Sequence, residues 1–124
     1  MDPTTLRYSK THEWVHLAGD IATVGITDYA VKELTDVVHL EFPVVGKAVK
    51  AGEPFGEIES VKSVSDLYAP VTGTIAAVNA DLENDLALLG TDPYGAAWIV
   101  KIKVSDASAL DKMLDRAGYQ ASIS

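Results

Sequence analysis

The sequence predicts a mainly β protein, a small sandwich or barrel, on two observations. Short runs of alternating apolar and polar residues recur along the chain. Turn formers punctuate them at close intervals, at Gly19-Asp20, Gly46, Gly52, Pro70, Gly73 and Asp92-Pro93-Tyr94-Gly95.

The elements follow in order. Residues 13–17 and 21–26 read as strands joined by the Gly19-Asp20 turn. A short helix follows Thr27 over 28–34. Over 37–42, Val38, Leu40 and Phe42 share one face and Val37, His39 and Glu41 the other, as in a half-buried strand. Further strands are expected at 54–58, 66–68 and 73–78, with a helical turn or two within 81–89. Over 98–104, Trp98, Val100, Ile102 and Val104 point one way while Lys101 and Lys103 look outward. Ser105 then reads as the N-cap of a C-terminal helix over about 106–117, burying Leu110, Met113 and Leu114 at i, i+3 and i+4 and stopped by Gly118. Pro43-Val44-Val45-Gly46 is echoed by Pro70-Val71-Thr72-Gly73, which fits two similar β-units packed on one another.

The chain has 124 residues, 48% of them hydrophobic and 23% charged, so a single globular domain over 1–124 is expected, with no need of disulfides or metals to fold. Ten Lys and Arg against 18 Asp and Glu give a net charge of −8, which argues against nucleic acid and for basic protein partners. With no cysteine, the chain has no thiol nucleophile, thiolate metal site or disulfide, so redox chemistry must come from an added group. Residues 1–10 lack the apolar core of a secretory signal, and the aliphatic run 86–89 falls far short of the roughly 20 residues of a membrane helix. A cytoplasmic protein without a membrane partner is expected.

His12-Glu13-Trp14-Val15-His16 matches the zinc-hydrolase pattern HExxH. That chemistry needs a helix, where positions i and i+4 stack around one ion. The segment reads instead as strand, which at about 3.3 Å per residue would separate His12 and His16 by roughly 13 Å, with Trp14 in the core. No Gly-x-Ser-x-Gly elbow or glycine-rich phosphate loop occurs. Glu57 and Glu59 share a strand face that reads as a solvated edge.

Lys62 stands within Glu59-Ser60-Val61-Lys62-Ser63-Val64, between two strand segments that can fold as a hairpin with the lysine at its tip. On composition and spacing it is a solvated charge.

The chain resembles the glycine cleavage H-protein family. Five segments carry the resemblance in order: His12-Glu13-Trp14-Val15; Val24-Gly25-Ile26-Thr27-Asp28-Tyr29-Ala30; Gly56-Glu57-Ile58-Glu59-Ser60-Val61-Lys62-Ser63; Ala69-Pro70-Val71-Thr72-Gly73; and Asp92-Pro93-Tyr94-Gly95 before Trp98. The resemblance implies a lipoyl/biotinyl-type barrel-sandwich hybrid of two small antiparallel sheets with pseudo-twofold symmetry. It implies lipoate in amide linkage to Lys62, with Glu59, Val61 and Ser63 as the context of the attachment motif. It implies a shuttle rather than an enzyme, carrying an aminomethyl group from the pyridoxal-phosphate glycine decarboxylase to the tetrahydrofolate-dependent aminomethyltransferase, then reoxidised by dihydrolipoyl dehydrogenase. A lipoate ligase or a lipoyl or octanoyl transferase would attach the group, and a monomer is expected. The loaded arm would retreat into a cleft where Glu13 pairs with the amine, with Asp66, Thr11 and Glu33 nearby.

Departures from the family pattern are Thr35 at a usual glycine, Ser63 at an alanine, Leu86 at a proline, Gly90 at an asparagine and Ala97 at a glycine. A biotin carrier usually flanks its lysine with methionines, and a 2-oxoacid dehydrogenase lipoyl domain would lack the N-terminal region and the C-terminal helix. An H-like protein serving lipoate relay or another lipoyl-dependent pathway would share the acceptor motif.

Overall fold

The computed structural model describes residues 2–123, and they form two antiparallel sheets joined by short helices. After a 3-10 turn at Pro3–Thr5 come β1 (Arg7–Tyr8), β2 (Glu13–Ala18), β3 (Ile21–Ile26), α1 (Asp28–Leu34), β4 (Val37–Glu41), β5 (Ala48–Val49), β6 (Pro54–Ser60), β7 (Val64–Tyr68), β8 (Thr72–Val78), α2 (Ala80–Asn84), α3 (Leu88–Thr91) and β9 (Val100–Asp106). A second 3-10 turn at Ser108–Lys112 leads to α4 (Arg116–Ile123). The larger sheet runs β1-β2-β3-β9-β8-β5 and the smaller β4-β6-β7. This is the expected two-sheet sandwich, and it does not close into a barrel.

The main core lies between the sheets and includes Val24, Leu40, Ile58, Leu67, Ile75 and Ile102, all nearly inaccessible to water. Burying side chains of this kind stabilises by roughly 1.5–3 kcal/mol each. Tyr8, Trp14, Tyr94 and Tyr119, with Leu6, form a separate aromatic cluster. Trp14 reaches it because its strand partner is Gly25: a Cβ there would lie 2.5 Å from the indole. The indole N–H donates to the Pro93 carbonyl at 3.0 Å, anchoring the Asp92–Gly95 turn.

Four expectations change. The C-terminal helix over 106–117 does not form. β9 runs on to Asp106, which pairs with Thr72, and the amide and carbonyl of Leu114 both bond to Tyr8, so they cannot serve a helical ladder. Leu110 and Met113 pack on the main core and Leu114 on the aromatic cluster, splitting the apparent stripe. The helix starts later, capped by the Asp115 carboxylate on the Gly118 amide at 2.8 Å, so Gly118 lies in its first turn rather than at its end.

In β4, Leu40 and Phe42 pack on the core as expected, but a bulge between Val37 and His39 swaps the two valines: Val37 packs on the core while Val38 is 51% exposed. Trp98 precedes β9 and joins the aromatic cluster, with Lys101 Nζ 4.9 Å from its ring. The Pro-Val-x-Gly echo is not a conformational repeat, since Gly46 sits in a turn at φ 95° whereas Gly73 lies in β8. A Cβ at Gly73 would strike the Lys103 carbonyl.

Candidate functional site

β6 and β7 form a hairpin whose last regular pair is Glu59–Val64, leaving Ser60-Val61-Lys62-Ser63 as the tip. The tip is pinned from within. The Ser60 amide donates to the Ser63 carbonyl at 2.8 Å, and the buried Ser60 hydroxyl accepts from the amides of Lys62 and Ser63, each at 3.2 Å. A serine opening a turn suits this role because its short side chain reaches the amides two and three residues on. The Val61 amide donates to the Asp36 carbonyl at 3.0 Å, tying the tip to the approach to β4. Lys62 is exposed, as are Glu59, Ser63 and the flanking Val61 and Val64. Ser60 escaped the sequence reading, although a serine two residues before a hairpin lysine is itself a turn signal.

Beside β7 lies a cleft of about 270 Å³ between β7, α1 and the turn leading into β2. Thr11, Glu13, Glu33 and Asp66 all line it, so the four residues expected to surround a loaded arm do meet. They are not equivalent. Thr11, Glu33 and Asp66 are exposed, whereas Glu13 is 1% exposed. The Ser9 hydroxyl donates to Glu13 Oε1 at 2.7 Å, the Thr11 hydroxyl donates to the same oxygen, and the Tyr68 amide donates to Oε2 at 3.4 Å. Burial pushes the Glu13 carboxyl above the usual carboxylate range, and these donors only partly offset it.

The first residues of α1 are fixed from several sides. Thr27 caps the helix, its hydroxyl accepting from the Ala30 amide at 3.2 Å. The Tyr94 hydroxyl donates to Asp28 Oδ1 at 2.7 Å, and Arg116 bonds that hydroxyl at 3.0 Å. Three of the five resemblance segments therefore touch: Trp14 holds the Pro93 turn, and Tyr94 of that turn holds Asp28.

The HExxH histidines are not on a helix. His12 closes a turn at φ 75°, and His16 lies in β2 opposite Thr23. Among the departures, Thr35 ends α1 at φ 62°, a backbone region that favours glycine. Thr35, Leu86 and Gly90 line one shallow hollow of about 300 Å³, together with Asp36, whose carbonyl holds the hairpin tip.

Two antiparallel sheets joined by short helices, with a lysine at an exposed hairpin tip, define a small β-sandwich domain. The sequence model described as glycine cleavage H-protein matches residues 6–124. Proteins named glycine cleavage system H protein are 49% identical in Acinetobacter baumannii over 121 residues, covering 98% of each chain, and 51% identical in Mycobacterium avium over 126 residues, covering 98% of this chain and 96% of that one. A crystal structure of a glycine cleavage system H protein from Mycobacterium marinum superposes with a TM-score of 0.91 at 38% identity, covering 98% of both chains. The chain belongs to the glycine cleavage H-protein family. None of its described helices is long and apolar enough to cross a membrane.

Proposed function

We propose that the chain is a lipoyl carrier in the cytoplasm, a single domain acting as a monomer, with lipoate in amide linkage to Lys62. In this reading it serves glycine decarboxylase, aminomethyltransferase and dihydrolipoyl dehydrogenase in turn, moving an aminomethyl group from the first to the second. The observation that carries the reading is the tip itself: an exposed primary amine with no partner among the described residues, on a turn held by two backbone hydrogen bonds and two to the Ser60 hydroxyl.

The residues present fit the group. Lysine plus lipoate spans roughly 14 Å at about 1.5 Å per bond, and Asp66 lies three residues along β7 from Ser63, roughly 10 Å at about 3.3 Å per residue. Lipoate supplies a redox-active disulfide that accepts and releases the carried group, which a chain without cysteine cannot supply. The protein holds the pivot still at Ser60 and offers a cleft that shields a returning amine from water. Glu13 is the acid for that amine, because a cation brought into a buried site requires a partner and restores the charge that burial disfavours. Asp66 and Glu33 guide the approach from the exposed rim.

The test is intact-protein mass before and after incubation with lipoate, ATP and a lipoate ligase, beside Lys62→Ala. One lipoyl increment on the wild type and none on the variant is expected. A folded wild type that gains no increment would overturn the reading.

A further inference from the structure

The C-terminal helix reaches His12, a residue lining the cleft, through a side chain that the carrier reading leaves without a role. Tyr119 of α4 is fully buried, its ring stacked on Tyr8 with centroids 4.7 Å apart. Its hydroxyl lies 2.7 Å from Thr27 Oγ1 and 2.9 Å from His12 Nδ1. These two partners are already neighbours along the backbone, since the Thr27 amide donates to the His12 carbonyl at 3.0 Å, and the Tyr119 hydroxyl links their side chains. Thr27 caps α1, which supplies Tyr29 and Glu33, and His12 is itself a wall residue beside Glu13. His12 holds φ 75°, an uncommon conformation for histidine that surrounding contacts must maintain.

The hydrogen bonds form a directed chain. The Ala30 amide donates to Thr27 Oγ1, whose hydroxyl proton is then free to go to the Tyr119 oxygen, and the Tyr119 proton to His12 Nδ1. That direction uses every donor once and leaves His12 neutral with its proton on Nε2, a nitrogen without a hydrogen-bond partner among the described residues. We propose that Tyr119 is a positioning residue for the cleft, its single hydroxyl bracing the His12 ring against the Thr27 cap of α1 and fixing His12 as the Nε2–H tautomer. The proposal rests on the reading of the cleft as the refuge of the loaded arm.

The consequence is chemical as well as geometric. A neutral His12 keeps from the wall a positive charge that would repel an arriving amine. Burial depresses His12, and Glu33 opposes that shift. Tyr29, Tyr119, Glu13, Asp66 and Lys10 are the other titratable groups around the ring or its cavities.

Tyr119→Phe removes the hydroxyl and keeps the stacking surface. In the lipoylated, aminomethyl-loaded protein, loss of the carried group is expected to speed up about tenfold in Tyr119→Phe, which amounts to about 1.4 kcal/mol of lost protection. Lipoylation of Lys62 should be unchanged. Long-range nitrogen NMR should find His12 as the Nε2–H tautomer in the wild type and as a tautomer mixture in the variant, a readout that stability alone does not move. A wild-type His12 protonated on Nδ1 would overturn the proposal even without a variant. So would wild-type release from Tyr119→Phe in an experiment where Glu13→Ala speeds release. If neither variant speeds release, the cleft reading itself falls.

Discussion

Burial of Glu13 makes stability depend on pH in a direction that can be worked out. Its folded pKa lies above the ordinary 4.5, so between those values the folded chain keeps a proton that the unfolded chain gives up. Stability attributable to this residue therefore falls as pH rises through that window and then levels off. Urea titrations across pH should show the wild type losing stability relative to Glu13→Gln as pH rises above 4.5. A difference that grows in favour of the wild type would contradict the burial account. Thr35 offers a second test. Its φ of 62° costs a non-glycine residue about 1–3 kcal/mol, partly offset by the extra freedom glycine brings to the unfolded chain. Thr35→Gly should therefore stabilise the protein by about 1 kcal/mol in denaturant melts. The sequence alone could not show this strain, because φ is set by how α1 must turn into β4. The cleft was legible at Glu13, Asp66, Thr11 and Glu33 only through the family resemblance. Burial is what separates Glu13 from the other three, and it comes from Ser9, Thr11 and Tyr68 gathering around it.

Among the elements, β3 was legible in full because every residue from 21 to 26 is apolar, small or β-branched and Gly19-Asp20 marks its start. β1 and β5 were invisible: two residues hold no alternation, and they are strands only because β2 and β8 offer them partners. The stretch after Ser105 misled because its i, i+3, i+4 spacing is genuine, yet pairing of Tyr8 with Leu114 outcompetes a helix of modest propensity. The tyrosine network was equally out of reach, since the hydrogen bonds linking its hydroxyls to Asp28 and Arg116 join residues 22 to 108 positions apart. The hairpin makes a prediction at this scale. Ser60→Ala leaves two tip amides without their acceptor, so stability should drop by about 1 kcal/mol, and lipoylation of Lys62 should slow as the tip loosens. Equal lipoylation rates for wild type and Ser60→Ala would show that the pivot needs no internal bracing.

For the whole molecule, charge and sheet arrangement act together. On the outer face of the smaller sheet, Glu41, Glu57 and Asp66 stand side by side across three strands, and all are exposed. Like charges so placed repel one another, and a basic partner surface would relieve that repulsion. Amide formation at Lys62 leaves the chain one unit more negative than −8. Association with the proposed enzymes should therefore slow steeply between about 0.1 M and 1 M salt, as the Debye length shrinks from about 10 Å to about 3 Å. Stopped-flow rates independent of salt would show that docking relies on other contacts. The large sheet carries a different lesson at its borders. Both of its edge strands, β1 and β5, are only two residues long. A stray chain meeting either border finds scarcely one spare amide and carbonyl to pair with. Borders this short give little to seed aggregates, so crowding should leave the protein dispersed.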